Sequence, residues 1–222
     1  MSVEIITTSD GSHSLLNTAL DETYHSRHGA MQESIHVFIK EGLNHLRSIH
    51  ASNSISILEV GFGTGLNALL TVQQAPEISA DIHYTSLETY PVPEEIWSKL
   101  NYMDAVGLKE RFDQLHQAPW NQEVKILPNF TLQKLTIPLQ QIDFSNRFDL
   151  VYFDAFAPNK QPDMWTVDVL AKVVTAMKAK SIFVTYCAKG QLKRDLKSLG
   201  LTVETLAGPP GKKEMVRGLK ED

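Results

Sequence analysis

Cysteine is almost missing from this chain. Cys187 is the only one among 222 residues, which excludes an internal disulfide and a zinc ribbon built on thiolate pairs. Long hydrophobic runs are missing too: no stretch reaches the roughly 20 apolar residues that span a bilayer. Residues 1–14 have neither the basic start nor the apolar stretch of a secretory signal. The expected compartment is therefore the reducing cytosol. No repeat, low-complexity tract or Gly/Ser-rich linker interrupts the chain. Without a G-x-S-x-G elbow, serine-hydrolase chemistry has no support. The eight histidines show no ligand spacing with acids or with Cys187, and His25 and His28 lack a third partner, so no metal is expected.

What is present looks like an average soluble protein, 42% hydrophobic and 21% charged. The length fits one domain with a small appendage. The net charge of −5 conceals an asymmetry. Residues 1–171 carry 10 Lys+Arg against 21 Asp+Glu, whereas residues 172–220 carry 11 Lys+Arg against 3 Asp+Glu. A local basic patch can steer a polyanion whatever the net charge, and solvated helix faces would produce the same count.

From Asn53 onward, short apolar runs alternate with helical patterns. Ser54–Val60 reads as a buried strand ended by glycines, and Leu66–Gln74 as a helix closed by Pro76. Residues 82–87 alternate like a strand, and 94–101 and Lys109–Gln117 look like short helices. Phe130–Leu135 alternates again, and Phe148–Phe153 is a buried strand. Residues 162–178 read as an amphipathic helix, 181–187 as a strand and 189–199 as a helix. Such a series implies right-handed crossovers and a mainly parallel sheet covered on both faces. The end breaks the rhythm: 201–206 and 213–218 are strands too close in sequence for a crossover, so they pair as an antiparallel hairpin. A mainly parallel sheet finishing in such a hairpin is the α/β, Rossmann-like architecture of class I S-adenosylmethionine methyltransferases. Residues 53–222 would form that domain. Residues 1–52, with a helix expected at 33–46, would be an N-terminal extension near the cofactor mouth or an inert packing arm.

Glu59-Val60-Gly61-Phe62-Gly63-Thr64-Gly65-Leu66-Asn67 follows a strand and opens a helix, the context of a nucleotide loop. Its spacing is G-x-G-x-G. The last glycine of a dinucleotide fingerprint would fall on Leu66. A pyrophosphate would be repelled by Glu59, whereas the ammonium and sulfonium of S-adenosylmethionine would be attracted to it. Thr64 and Asn67 are further cofactor candidates. Glu88, with Thr89 beside it, ends the next strand, where a carboxylate accepts hydrogen bonds from both ribose hydroxyls. No acid follows the third strand to hold the adenine amino group; backbone groups or Gln140 are the substitutes.

Asp154 ends the strand Phe148–Phe153 and opens Asp154-Ala155-Phe156-Ala157-Pro158, at the carboxyl edge of the sheet where ligands bind. Methyl transfer from a sulfonium needs alignment more than acid–base help. Asp154 is therefore read first as orienting an amine and second as receiving its proton. Capping the next helix would be its structural alternative.

GFGTGLN, SLETYP, FDLVYFDAFAPNKQPDMWT and GPPGKKEMVRG together resemble the methyltransferase domain of the MnmC-type tRNA-modification family, over about residues 10–220. The resemblance implies methylation of the 5-aminomethyl group of the tRNA wobble (2-thio)uridine, with S-adenosylmethionine consumed and S-adenosylhomocysteine released. It matches that family's aspartate to Asp154, with Phe156 and Pro158 in the same motif, its loop to Gly61, Gly63 and Gly65, and its ribose acid to Glu88. The family's FAD oxidase has no counterpart here, so neither FAD nor metal is expected, and another oxidoreductase or upstream wobble-uridine enzyme would deliver the amine. Lys160, Lys189, Lys193, Arg194, Lys212, Lys213 and Arg217 would meet the phosphates of the anticodon stem-loop. Phe156 or Trp165 would stack on the splayed base. The alternatives are a small-molecule amine methyltransferase and a non-catalytic S-adenosylmethionine-binding subunit.

Overall fold

The computed structural model describes residues 3–102 and 108–221. An eight-stranded sheet runs in the order β10-β11-β9-β8-β4-β5-β7-β6. Its strands are β4 (Ser54–Val60), β5 (Asp81–Leu87), β6 (Glu123–Leu127), β7 (Phe130–Leu135), β8 (Phe148–Phe153), β9 (Met177–Thr185), β10 (Leu201–Ala207) and β11 (Glu214–Lys220). The centre, β9-β8-β4-β5-β7, is parallel. Both edges are antiparallel, through β6 on one side and the β10–β11 hairpin on the other. The class I methyltransferase-like architecture expected from the pattern is present. Because β4 has β5 on one side and β8 on the other, the connections diverge at its carboxyl end and leave a crevice there.

A continuous helical stretch, α1 (residues 30–49), precedes β4 and widens to π-helical turns over Ile35–Asn44. With α2 (Leu66–Gln74) and α4 (Lys109–Gln117) it covers one face, burying Val37, Phe38, Leu69 and Phe112 against Ile57, Tyr84 and Tyr152. The four-residue α3 (Glu94–Trp97) lies before α4. On the other face α5 (Val167–Ala176) and α6 (Gly190–Ser198) bury Val173 and Leu196 against Leu58, Val151 and Phe183. All six residues of β8 are buried, as a central strand covered on both faces requires.

Several elements differ from the sequence reading: the helix expected at 33–46 spans 30–49, and β6 was not expected. The helix at 94–101 shrinks to Glu94–Trp97. The stretch 162–178 divides into a 3₁₀ turn, Pro162–Trp165, and α5, whose start is capped by the Thr166 hydroxyl accepting from Val169 N–H. Met177 leaves that helix to begin β9, earlier than expected. The N-terminal arm also contains a small antiparallel sheet of β1 (Val3–Thr7), β2 (His13–Asn17) and β3 (Glu22–Thr23), which the pattern did not suggest.

Candidate active site

A cavity of about 660 Å³ opens at the carboxyl end of β4. Its wall includes the glycine loop, Glu88 and Thr89 after β5, Ile137–Gln140 after β7, and Asp154 and Phe156 after β8. Asn17, Leu20, Tyr24 and His25 of the N-terminal arm close another side.

The loop folds back on β5. Gly61 and Phe62 donate their N–H groups to the Leu87 carbonyl at 2.9 and 3.2 Å. Gly61, Gly63 and Gly65 all have positive φ. Gly61 also lacks room for a side chain, since a Cβ there would stand 2.9 Å from the Asp154 carbonyl oxygen. Glu88 is held by two backbone donors, Gly63 N–H at 3.0 Å and Tyr90 N–H at 2.9 Å. Burial raises its proton affinity, and these donors draw it back. Thr64 and Asn67 line the cavity. Thr64 Oγ and Asn67 Oδ1 are buried, with Thr64 beside the Tyr102 hydroxyl and Asn67 beside the Glu59 carboxyl.

Asp154 Oδ2 accepts from Asn67 Nδ2 at 2.9 Å, so the first turn of α2 orients the acid after β8. Burial, then the nearby Glu33, pushes Asp154 up to about 7, against opposing effects from Asn67 and Lys212. At neutral pH this carboxyl is poised to take a proton.

Glu59 does not line the cavity. It is 0% exposed beneath the loop and accepts from the Ser86 hydroxyl at 2.5 Å. Burial raises it to about 8; the Ser86 bond opposes that rise and Asp154 adds to it.

Phe156 reaches the cavity and meets Tyr24 edge-on, with centroids 4.9 Å apart at 82°. Pro158 is half-buried and off the cavity wall. Trp165 is core: it is 8% exposed, and its indole N–H donates to the Phe156 carbonyl at 2.7 Å. Tyr24, whose ring packs over Gly63, is a cavity residue that the sequence reading did not name as such. Asp163 and Met164 also line the wall, near Gln140.

The basic residues divide sharply. Lys160 lines the cavity and donates to the carbonyls of Leu20 and Asp21 at 2.9 and 2.8 Å, fastening the arm. Lys212 pairs with the buried Glu33 and lies over the Tyr186 ring. Arg217, 7% exposed, is held between Glu41 and Glu204. Lys193 pairs with Glu214 at 2.9 Å. Lys189, Arg194 and Lys213 are exposed. Among the described residues no group of three or more His, Cys, Asp or Glu is arranged to hold a metal, and no helix is long and apolar enough to cross a membrane.

A family model described as S-adenosyl-L-methionine-dependent methyltransferase matches residues 99–221, more than half of the chain. The chain belongs to that family. As a methyltransferase of this family it aligns with proteins named tRNA 5-methylaminomethyl-2-thiouridine biosynthesis bifunctional protein MnmC. The relative from Nitrosospira multiformis is 28% identical over 222 residues, covering 92% of this chain and 35% of the relative. That from Leptospira interrogans (strain Fiocruz L1-130) is 30% identical over 213 residues, covering 91% and 33%. The chain thus spans about a third of the length of the curated relatives it matches. Among solved structures, MNMC2 from Aquifex aeolicus superposes with a TM-score of 0.78 at 24% identity, covering 98% of this chain and 70% of that one. Spermidine synthase from Thermotoga maritima superposes at 0.58 and 13% identity, covering 97% and 72%. These two likenesses show the shared fold. The resemblance to MnmC-type methyltransferase domains read from the motifs is upheld by the relatives.

The cavity suits the cofactor of this family. It is in the size range of small-molecule sites, and the loop, with glycine of positive φ at 61, 63 and 65, admits close backbone approach. Glu88→Ala is expected to weaken S-adenosylhomocysteine binding by roughly tenfold or more, the loss of about 1.5–3 kcal/mol. Calorimetric titration checks this, and unchanged affinity would remove the ribose assignment.

Proposed function

We propose that this methyltransferase transfers a methyl group from S-adenosylmethionine to the 5-aminomethyl nitrogen of the wobble (2-thio)uridine of tRNA, in the cytoplasm. The observation that carries the reading is Asp154, which faces the cavity beside the cofactor loop with Asn67 fixing its carboxyl. The cofactor supplies a methyl group already activated by its sulfonium. The loop at 61–65, with Thr64 and Asn67, would hold its amino-acid end, and Glu88, beside Thr89, its ribose. Glu59 acts from below the loop. Gln140, part of the Ile137–Gln140 wall, would serve the adenine.

The amine enters as an ammonium and attacks only as the free base. A carboxyl at about 7 resolves the conflict between attracting the cation and releasing the base, because it can accept the amine's proton near neutrality. Phe156 and Tyr24 offer ring edges and faces at the mouth for a splayed base. The relatives' names, which specify tRNA 5-methylaminomethyl-2-thiouridine biosynthesis, support the choice of substrate. The primary amine would come from a separate oxidoreductase or an upstream wobble-uridine enzyme.

Of the basic residues, Lys189, Arg194 and Lys213 would meet phosphate, a reading supported by their exposure. The double variant K189E/K213E is expected to weaken tRNA binding, with the slope of log affinity against log salt falling by about two. Filter binding at several salt concentrations checks this. Normal tRNA affinity in that variant would turn the reading toward a small-molecule amine. The overall test is transfer of labelled methyl to tRNA from cells lacking this modification. Label in 5-methylaminomethyluridine supports the reading, and cofactor binding with no label in tRNA removes it.

A further inference from the structure

Behind the cofactor loop stands a histidine that the chemistry does not use. His116, at the end of α4, places Nε2 3.1 Å from the Thr64 carbonyl oxygen. The Thr64–Gly65 peptide runs into Gly65, at φ 73°, and Gly63, at φ 50°, precedes Thr64. Gly65 lowers the barrier to rotating that peptide on its carboxyl side, so its orientation depends on what the Thr64 carbonyl meets. The imidazole also occupies the space where a Gly65 Cβ would lie, 2.8 Å from Nε2.

The ring itself is fixed. Trp97 stacks on it at 4.6 Å and 13°, and Phe112 meets it at 4.6 Å and 60°. Phe62, a loop residue, packs edge-on at 5.3 Å. The backbone is tied as well: Lys134 Nζ, 1% exposed as a residue, donates to the His116 carbonyl at 2.7 Å. The same ammonium lies 5.1 Å from the Phe62 ring centroid, so β7, α4 and the loop form one buried cluster.

We propose that His116 is a positioning residue for the cofactor: its Nε2–H holds the Thr64 carbonyl on the side away from the Gly65 N–H, which donates to the Phe62 carbonyl at 2.8 Å, and thereby fixes the conformation of the glycine loop that lines the cavity. Donation to a carbonyl requires a proton on Nε2, and a neutral ring then leaves Nδ1 bare. The surroundings favour neutrality. Burial drives His116 down to about 3, Lys134 acts in the same sense, and the Thr64 carbonyl and Asp113 oppose it. The bond therefore persists across the physiological range instead of titrating.

The inference rests on residues 61–65 being the cofactor loop, and its test separates the two claims. Calorimetric titration of the full chain with S-adenosylhomocysteine is compared for wild type, H116F and H116Q, with thermal unfolding alongside. H116F keeps a ring without the donor, whereas H116Q keeps a donor without the ring. The expected result is about tenfold weaker binding for H116F and near wild-type binding for H116Q. In turnover, H116F should raise KM for the cofactor and leave kcat nearly unchanged. Wild-type affinity in H116F, or equal losses in both variants, would overturn the proposal. Nitrogen-15 spectra of the wild-type imidazole serve as a test that no variant's folding can spoil. A slowly exchanging Nε2–H tautomer at pH 6 supports the bond, and an Nδ1–H tautomer or a protonated ring contradicts it. If wild type fails to bind S-adenosylhomocysteine, the loop reading falls by itself, while the imidazole spectrum still reports on the Thr64 bond.

Discussion

Replacing Asp154 by alanine is expected to lower methyl transfer by about 10²–10⁴-fold, the usual span for a lost proton acceptor, with cofactor affinity little changed. The separation follows from the geometry. Asp154 faces the cavity from β8, whereas the loop and Glu88 belong to the β4 and β5 side. D154N sharpens the test, because its amide keeps the shape and removes the base. In wild type the acid must be ionised to accept a proton, so activity should rise with pH through a midpoint of about 7. D154N should lose that limb along with the activity. Steady-state rates from about pH 5 to 9 for both proteins check this. Full activity in D154N would leave Asp154 a purely structural acid.

The second large effect concerns stability. Glu59 sits at about 8 in the folded chain against an ordinary 4.5. The folded state therefore holds a proton that the unfolded state releases between those two values, and stability falls as pH rises through that window. For a fully buried acid the loss is on the order of 4 kcal/mol once both states are ionised. His25 and His116 work in the opposite direction below 6.5, because burial lowers them to about 4 and about 3 and folding releases their protons. The comparison of E59Q with wild type cancels those histidines and isolates Glu59. E59Q should gain on wild type as pH rises from 5 to 9, with a relative rise in Tm of about 10 °C. Thermal unfolding of both at several pH values checks this. A constant difference would mean that Glu59 is ionised at neutral pH, as a direct counter-ion of the cofactor would be.

Much of this was legible because the relevant signals are local. β4, its glycines and α2 follow one another without interruption, and the sheet's own geometry sets their relation. Asp154 was legible for the same reason: a buried strand that ends on an acid places it at the carboxyl edge. Partners distant in sequence could not be read. The Lys212–Glu33 pair joins residues 179 positions apart, and Arg217 meets Glu41 across 176. In sequence both cations count as surface charge. The β1–β3 sheet was hidden by its brevity, since β3 has only two residues. Lys134 did leave a trace, standing on the apolar side of the alternation Phe130, Leu132, Lys134, where a lysine must find a buried partner.

Two synthetic anticodon stem-loops that differ only at the wobble base, one bearing 5-aminomethyluridine and the other uridine, put the proposed substrate to the test. Each is incubated with the purified chain and S-adenosylmethionine, then digested to nucleosides and analysed by mass spectrometry. The expected result is a single added methyl on the aminomethyl nitrogen of the first stem-loop and none on the second. Methylation of both to the same extent, or of neither while a free small amine is methylated, would contradict it.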